Sequence, residues 1–418
     1  MRPRLLRSGR LIVLALLAMS AQRATRAQGL LTGDQISAAM KQIKNHPHKD
    51  TLSCDEIYLT RFSNLGFDLR YHARFEFRLP WAEMPEGGKL RARIRVTPQK
   101  GASVLLGEYF DIPSVSEALS KVPRDQVSNP IAASVSGEFV IGPGKYKVEL
   151  LLFSPDNRTF FKKWTFKTEP DAGFAGLMNP NTVGEAPQNH WAGKFDPNGI
   201  RLTLLLNATG TSASQARLWD YHFLLTMLNS VLERLPCQSL RVVAFNLDQQ
   251  GELFRRDEFT LNAWDDLEAA LKGTELSTVD YRNLRPRSEQ EFLNHLVEQE
   301  TSAPVDAVVI IGRRTHFLGK TPPELKASLS AKAKLYYLRH DGYEYSRYSW
   351  YGDEIERANK NPEMPVPVDL AFEINEARMK PIPDSITYLV QDLRGTVLPF
   401  GTSHEFGRAI GRLPHRAF

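Results

Sequence analysis

Residues 202–212 read LTLLLNATGTS, and this stretch decides how the C-terminal half of the chain is interpreted. Its first five residues form a continuous apolar run, which is typical of a strand buried on both faces of a parallel sheet. Asn207, Thr209 and Thr211 then place oxygen-bearing side chains at alternate positions, directly before a predicted helix. Two interpretations of this loop are open: it holds a hard cation, or it caps the helix that follows.

Further short apolar runs follow along the chain and alternate with amphipathic segments. They lie at residues 240–245, 307–311 and 335–338. Such alternation predicts strands of a parallel sheet that are joined by helices on both faces. Residues 200–412 are therefore predicted to form a doubly wound, mostly parallel α/β domain with an insertion at 340–381. In such a sheet, ligands bind at the carboxyl ends of the strands.

The order of these elements and the loop after the first strand resemble the von Willebrand factor A domain. That family holds a magnesium ion with an Asp-x-Ser-x-Ser motif, a threonine from a later loop and an aspartate after the fourth strand. A carboxylate of the binding partner completes the coordination of the ion. On this resemblance Asn207, Thr209 and Thr211 occupy the first motif, each as a substitution, and Thr278 matches the threonine. A predicted helix, strand and helix over 385–410 look like the family's closing unit.

The chain departs from the family where the metal needs carboxylates. Asn207 is a neutral amide, and Gly312-Arg313-Arg314 stands where the aspartate after the fourth strand is expected. Because Mg²⁺ is usually held with the help of one or two carboxylates, we predict a degenerate site with no metal and no cofactor. Metal-dependent ligand binding is the alternative. The two arginines either meet a partner's carboxylate or face solvent.

The N-terminal half shows a different periodicity. Residues 67–79 alternate strictly between apolar and polar, which predicts a half-buried antiparallel strand, and later segments repeat the pattern. We predict a β-sandwich of immunoglobulin-like type over 52–168, with a helical segment at 28–51 before it and a linker at 169–199 after it. The polar face of this sheet carries arginines, among them Arg91, Arg93 and Arg95 of one strand. These arginines either form an anion-binding stripe or simply face solvent.

The first 27 residues read as a cleavable secretory signal. Four arginines and no acid precede an apolar run from Leu11 to Met19, and Thr25-Arg26-Ala27 offers a cleavage site. Cleavage would remove six arginines and leave a formal charge of about −1, so the basic pI near 9.0 gives no reason to expect nucleic acid as a partner. We expect a secreted or periplasmic protein without a transmembrane segment; an uncleaved anchor is the alternative.

Two cysteines are too few for a disulfide scaffold. Export permits one bridge between Cys54 and Cys237, and two free thiols are the alternative. The sequence shows no nucleophile elbow, dinucleotide fingerprint or phosphate loop. An enzyme that uses the cleft above the sheet is therefore the least favoured interpretation.

The predicted insertion concentrates aromatic residues within nine positions. They are Tyr343, Tyr345, Tyr348, Trp350 and Tyr351. Tyrosine and tryptophan are enriched at protein interfaces, so this cluster is the predicted contact surface for a protein partner or a glycan. The alternative is that the rings pack onto their own domain. The sequence thus predicts an exported, non-catalytic protein-interaction module.

Overall fold

The structure is a computed structural model, and it describes part of the 418-residue chain. The described residues are 29–46, 50–63, 65–80, 88–112, 132–168, 174, 176–185, 191–209, 218–273, 286–315, 323, 333–341 and 384–414. They divide into two compact units. Unit 1 takes its residues from 1–64, 70–170 and 177–188, and unit 2 from 65–69, 171–176 and 189–418.

The described residues of unit 1 form one helix and ten strands. They are β1 (Gly29–Leu30), α1 (Asp34–Lys44), β2 (Asp55–Leu59), β3 (Phe62–Ser63), β4 (Tyr71–Pro80), β5 (Lys89–Pro98), β6 (Val104–Asp111), β7 (Ala132–Ile141), β8 (Lys145–Phe153), β9 (Thr159–Thr168) and β10 (Val183–Glu185). The strands form a six-stranded sheet, β1-β6-β5-β8-β9-β3, and a four-stranded sheet, β10-β7-β4-β2. All pairs are antiparallel except β3 with β9.

The two sheets of unit 1 pack against each other through aromatic rings. Phe75 and Phe77 of β4 contact Trp164 and Phe160 of β9, with ring centroids 6.4 and 5.1 Å apart. Along β5 the apolar residues are fully buried while the arginines between them are half-buried, so the alternation of the sequence sets which face turns inward. These contacts make the core of unit 1.

The outer face of the six-stranded sheet is covered in part by α1. Ala39 and Ile43 of this helix are buried against Leu105 and Leu151 of the sheet. Because side chains alternate across a strand, these leucines lie on the face that carries Arg91, Arg93 and Arg95. The arginine face is therefore not simply solvated, and the helix forms one wall beside it.

The strand expected at 67–79 begins later than the sequence pattern predicts. Residues 67–70 form a turn, in which Leu69 has a φ of 60°, and β4 starts at Tyr71. A left-handed φ is unfavourable for leucine, so burial of the side chain must compensate for it; Leu69 is completely buried. The apolar alternation of residues 67–69 reflects burial in unit 2, not a strand.

Unit 2 contains six strands and five α-helices among its described residues. They are β11 (Ile200–Asn207), α2 (Leu218–Arg234), β12 (Cys237–Asn246), β13 (Gly251–Arg256), α3 (Trp264–Gly273), α4 (Pro286–Ser302), β14 (Ala307–Arg313), β15 (Lys334–His340), α5 (Ser385–Asp392), β16 (Thr396–Phe400) and α6 (Ser403–Ile410). The sheet has the order β13-β12-β11-β14-β15-β16. α4 and α5 bury apolar residues against one of its faces, among them Leu296 and Leu389.

The predicted fold class, a doubly wound mostly parallel sheet, is wrong for this chain. Eight of the thirteen described strand pairs are antiparallel. Even the sheet of unit 2 is mixed, since β13 turns back antiparallel along β12. A buried apolar run predicts a strand but does not show in which direction the neighbouring strands pair. The prediction of a mostly parallel sheet was wrong for this reason. No helix among the described residues is long and apolar enough to cross a bilayer.

Candidate functional site

Five described strands of unit 2 end at one edge of its sheet. β11, β12, β14, β15 and β16 are parallel, and their last residues are Asn207, Asn246, Arg313, His340 and Phe400. Side chains at this carboxyl edge share one region of unit 2. It is the candidate functional site, and it contains two of the four predicted metal-site positions, Asn207 and Thr209. Thr211 and Thr278 lie outside the described residues.

The side-chain amide of Asn207 forms hydrogen bonds with neighbouring backbone groups. Its Nδ2 donates to the carbonyl of Arg313 at 3.2 Å, and its Oδ1 accepts the backbone N–H of Thr209 at 3.1 Å. The side chain is 2% exposed. Gly312 allows this packing, since a Cβ on that residue would lie 2.7 Å from the Asn207 Cβ. Asn207 thus ties the end of β11 to the end of β14.

Thr209 makes the matching connection on the other side of β11. Its hydroxyl accepts the backbone N–H of Leu247 at 2.9 Å, just beyond the end of β12. Asn246 adds a weaker bond from its amide to the carbonyl of Ala208 at 3.4 Å. The oxygens that the sequence offered as cation ligands therefore serve as acceptors that hold three strand ends together.

A buried carboxylate that the sequence analysis missed lies near this edge. Asp384 is 3% exposed, and it accepts the backbone N–H of Thr315 at 3.1 Å and the Thr315 hydroxyl at 2.8 Å. It also accepts the Thr387 hydroxyl at 2.6 Å and caps α5 at the backbone N–H of Ile386. An aspartate immediately before a helix is a cap signal that sequence inspection can find. Its bond to Thr315, 69 residues away, has no local signal.

The two predicted partner-binding arginines occupy different environments. The Arg313 backbone carbonyl accepts from Asn207 and from the Tyr337 hydroxyl, and its side chain is half-buried. Arg314 pairs with Asp341 at 2.7 Å, and Arg339 reaches the same carboxylate oxygen at 2.8 Å. Two guanidinium groups on one carboxylate leave this cluster with an excess positive charge.

The ionisation of the cluster follows from these contacts. Burial by itself would raise the pKa of Asp341, but the hydrogen bonds from Arg314 and Arg339 outweigh burial and hold that pKa below its ordinary value. The hydrogen bond to Asp341 likewise raises the pKa of Arg314. Asp341 is therefore ionised and engaged near neutral pH, and it is not available as a general base.

His340 lies at the end of β15 and is 1% exposed. Its ring contacts Phe67, Phe223 and Phe400 at centroid distances of 5.6, 4.6 and 5.4 Å. Neither ring nitrogen has a hydrogen-bond partner among the described residues. Burial, and then the charge of Arg313, lower the pKa of this histidine well below its ordinary value. A neutral imidazole enclosed by phenyl rings packs as an apolar side chain.

The remaining predicted positions divide between described and undescribed parts of the chain. Tyr343, Tyr345, Tyr348, Trp350 and Tyr351 lie outside the described residues. The structure describes Cys54 and Cys237 without a disulfide, and the bridge between them stays a prediction. Within the described ranges, no three His, Cys, Asp or Glu side chains cluster as they would around a metal ion.

No protein-family model matches the chain, and no curated protein sequence matches it. Solved structures show weak similarity. A β-glucosidase from Listeria innocua matches at 10% identity over 28% of this chain and 16% of that chain, with a TM-score of 0.17. A purple acid phosphatase from yellow lupin seeds matches at 10% identity over 70% of this chain and 59% of that chain, with a TM-score of 0.20.

A glycosyl hydrolase family 2 member from Bacteroides cellulosilyticus matches at 12% identity over 72% of this chain and 43% of that chain, with a TM-score of 0.18. The chain spans only 16% of the length of the two β-glucosidase structures that it matches. Similarity at this level carries no argument about fold or activity.

Proposed function

We propose that this protein is an exported, non-catalytic interaction module whose strand-end loop is the structural remnant of a metal-ion-dependent adhesion site. One observation carries the proposal: Asn207 and Thr209 direct their side-chain oxygens to backbone N–H groups of the chain itself. An oxygen that accepts a backbone hydrogen bond is a poorer ligand for a cation. The arginines at the same edge would repel one.

The titratable groups of the edge also argue against catalysis. Asp384 is occupied by the donors of Thr315, Thr387 and Ile386, and Asp341 is held by two arginines. His340 is enclosed by rings. A general base needs a free lone pair within hydrogen-bond reach of a substrate proton, and the contacts of these three groups already occupy or enclose them.

The partner we propose is a protein with an acidic residue at its contact surface. The excess positive charge of the Arg314, Asp341 and Arg339 cluster favours a carboxylate, and an arginine can hold a carboxylate through two parallel hydrogen bonds. The tyrosine-rich segment 343–351 begins two residues after Asp341 in the sequence, and we propose that it adds aromatic contacts to the same partner. A glycan partner is the other possible occupant.

The metal-free interpretation is tested by thermal melting with 5 mM Mg²⁺, Mn²⁺ or Ca²⁺. We expect no shift in melting temperature, because a ligand adds RT ln(1 + [L]/Kd) of stability only when it binds the folded state, about 2.7 kcal/mol at one hundred times Kd. EDTA-treated protein is the control. A rise of several degrees that disappears in Asn207→Ala would overturn the interpretation in favour of metal-dependent binding.

The interaction surface is tested by capture of partners from the native secreted or envelope fraction. Replacement of Tyr348, Trp350 and Tyr351 by alanine should weaken capture far more than replacement of Thr209 and Thr211, since aromatic anchors commonly contribute about 2 kcal/mol or more each. The melting temperature of each variant is measured in parallel. A triple variant that melts like the parent and still captures the partner contradicts the proposal.

Export itself is tested by N-terminal sequencing of the protein from the producing cell. We expect the mature chain to begin at Gln28, because Ala27 closes the small-residue cleavage site. Ala27→Arg should block processing and leave the apolar run in place. A mature protein that retains Met1 in the cytoplasmic fraction contradicts export.

A further inference from the structure

A pocket in unit 1 lies between α1 and the end of the six-stranded sheet. Its volume is about 390 Å³, which is in the range of small-molecule sites. The polar side chains that line it are those of Gln35 and Gln42 from α1, Arg93 from β5 and Tyr109 from β6. No acidic side chain is among the lining residues.

Arg93 differs from its neighbour on the same strand face. Arg95 pairs with Glu149, which lies on the neighbouring strand β8. Arg93 has no carboxylate partner among the described residues. Its contacts include a hydrogen bond to the carbonyl of Ala92 at 3.1 Å and a cation–π contact in which its Cζ lies 5.7 Å from the centre of the Tyr109 ring. A half-buried guanidinium without a carboxylate retains hydrogen-bond donors for a ligand.

The backbone makes room for this guanidinium. A Cβ added to Gly107 would lie 2.9 Å from Nη1 of Arg93 and 2.7 Å from Cδ2 of Leu31, so the missing side chain at this position of β6 leaves room for the ends of both side chains. β1 pairs with β6 at the same place, where Gly29 lies opposite Gly107. The Arg93 guanidinium therefore passes close to the backbone of β6 at Gly107.

The tyrosine beside Arg93 is prepared to donate a hydrogen bond. A hydrogen bond with Arg93, together with the charge of the guanidinium, lowers the pKa of Tyr109. The Tyr109 hydroxyl can donate its proton to a ligand oxygen. The ring itself is 56% exposed and forms an accessible rim.

We propose that this pocket binds a small organic carboxylate, with the carboxylate on Arg93 and Tyr109 and with hydroxyl or carbonyl groups of the ligand on the amides of Gln35 and Gln42. The charge balance favours a carboxylate over a phosphate dianion, since Arg93 provides the one formal positive charge among the lining residues. Leu30, Leu31 and Ala38 supply the apolar wall that a carbon skeleton needs. All residues that line this pocket belong to unit 1.

The test uses two probes that differ mainly in charge. Gluconate carries a carboxylate, and sorbitol is its uncharged counterpart; acetate, glutarate and inorganic phosphate complete the set. Binding to the purified secreted chain is followed by the ¹⁵N–¹H signals of the Gln35 and Gln42 amides and of Arg93 Nε. We expect a carboxylate, and not sorbitol, to shift these signals in a saturable way.

Arg91→Gln is the matched control for Arg93→Gln. Both arginines lie on the same face of β5, but Arg91 stacks over Phe153 and does not line the pocket. Arg93→Gln should weaken carboxylate binding at least tenfold, Arg93→Lys several-fold through loss of bidentate bonding, and Arg91→Gln less than twofold. If Arg93→Gln proves unstable, Tyr109→Phe at the exposed rim replaces it and should weaken binding several-fold.

Three results would overturn the proposal. The first is that acetate, glutarate and gluconate all leave the pocket signals unchanged at 50 mM. The second is that Arg93→Gln or Tyr109→Phe binds as tightly as the parent chain. The third is that phosphate or sorbitol binds as tightly as the carboxylates, which would mean that the pocket does not recognise a carboxylate.

Discussion

His340 shows how a single side chain can make the stability of unit 2 depend on pH. Its ring is enclosed by Phe67, Phe223 and Phe400, and the charged groups that influence it are Arg313 and Asp341. Burial lowers the pKa of this histidine, so the folded state keeps it neutral where the unfolded state binds a proton. The ordinary pKa of histidine is about 6.5.

We expect the free energy of unfolding to fall as the pH drops below about 6.5, with a slope from His340 of up to about 1.4 kcal/mol per pH unit. The contribution is unfavourable because a proton that the unfolded chain takes up is excluded from the folded one. His340→Phe should flatten the slope, since phenylalanine suits the aromatic cluster and cannot titrate. Urea unfolding between pH 5 and 7.5 measures both chains.

The control for this prediction is His295→Gln, at an exposed position of α4. This variant should keep the slope of the parent chain. If His340→Phe and the parent show the same pH dependence, then His340 is not the group responsible.

The two cysteines differ in reactivity because they differ in burial. Cys237 is buried, its thiol donates to the carbonyl of Leu235, and desolvation raises its pKa to about 12. The thiolate is the reactive form, so Cys237 should resist alkylation in the folded chain. Cys54 is partly exposed and should react first.

We therefore expect iodoacetamide at pH 8 to modify Cys54 alone in the native protein and both cysteines after unfolding without reductant. Mass spectrometry of peptides identifies the sites, and Cys54→Ser provides a chain in which only Cys237 can react. An unfolded, unreduced chain with no reactive thiol would show that a bridge exists after all.

At the scale of elements, α4 is joined to strands β12 and β13 by a buried ion cluster. Glu300 is completely buried and pairs with Arg241 at 3.0 Å and with Arg255 at 2.8 Å. The carboxylate accepts from one arginine on each strand, so it fixes the antiparallel hairpin that makes the sheet of unit 2 mixed. No local sequence pattern indicates that either arginine contacts Glu300.

Glu300→Gln should lower the free energy of unfolding by about 3 kcal/mol, because it removes the one fully buried carboxylate that pairs with both Arg241 and Arg255. The matched control is Glu252→Gln, which removes a more exposed partner of the same Arg255 and should cost about 1 kcal/mol or less. Urea denaturation of both variants measures the difference. Equal costs would mean that burial of Glu300 adds nothing.

At the scale of the whole molecule, the path of the chain links its two halves. Residues 65–69 lie in the N-terminal half of the sequence but belong to unit 2. There the Phe67 ring contacts Phe223, Phe400 and Phe406, and its carbonyl accepts the buried Ser230 hydroxyl at 2.6 Å. Unit 2 is therefore incomplete when the chain is cut at the predicted linker.

We expect Phe67→Ala to destabilise unit 2 by about 3–5 kcal/mol, the usual cost of truncating a buried phenylalanine. A fragment of residues 189–418, which lacks Phe67, should bind the dye ANS and melt without cooperativity. Phe195→Ala, at a position 42% exposed, is the control and should change stability little. A fragment that melts like the full chain contradicts this prediction.

The sequence by itself determined where most strands and the last helices lie, because periodicity reports which residues are buried locally. The helix predicted at 403–410 is found at Ser403–Ile410, and its Thr402 and Glu405 form a capping box. It also identified Asn207 and Thr209 as a polar pair after a buried strand. The sequence could not show which groups these two residues bond to, since their partners lie 38 and 106 residues away along the chain.

Only the tertiary structure decided how the strands pair and which buried groups meet. The observed pairing corrected the predicted fold class. Hydrogen bonding between strands depends on the direction in which a distant segment returns, and an apolar run looks the same in either direction. The same reason hid the bond of Asp384 to Thr315, the aromatic enclosure of His340 and the placement of α1 beside Arg93. Each depends on contacts between segments that local patterns treat as independent.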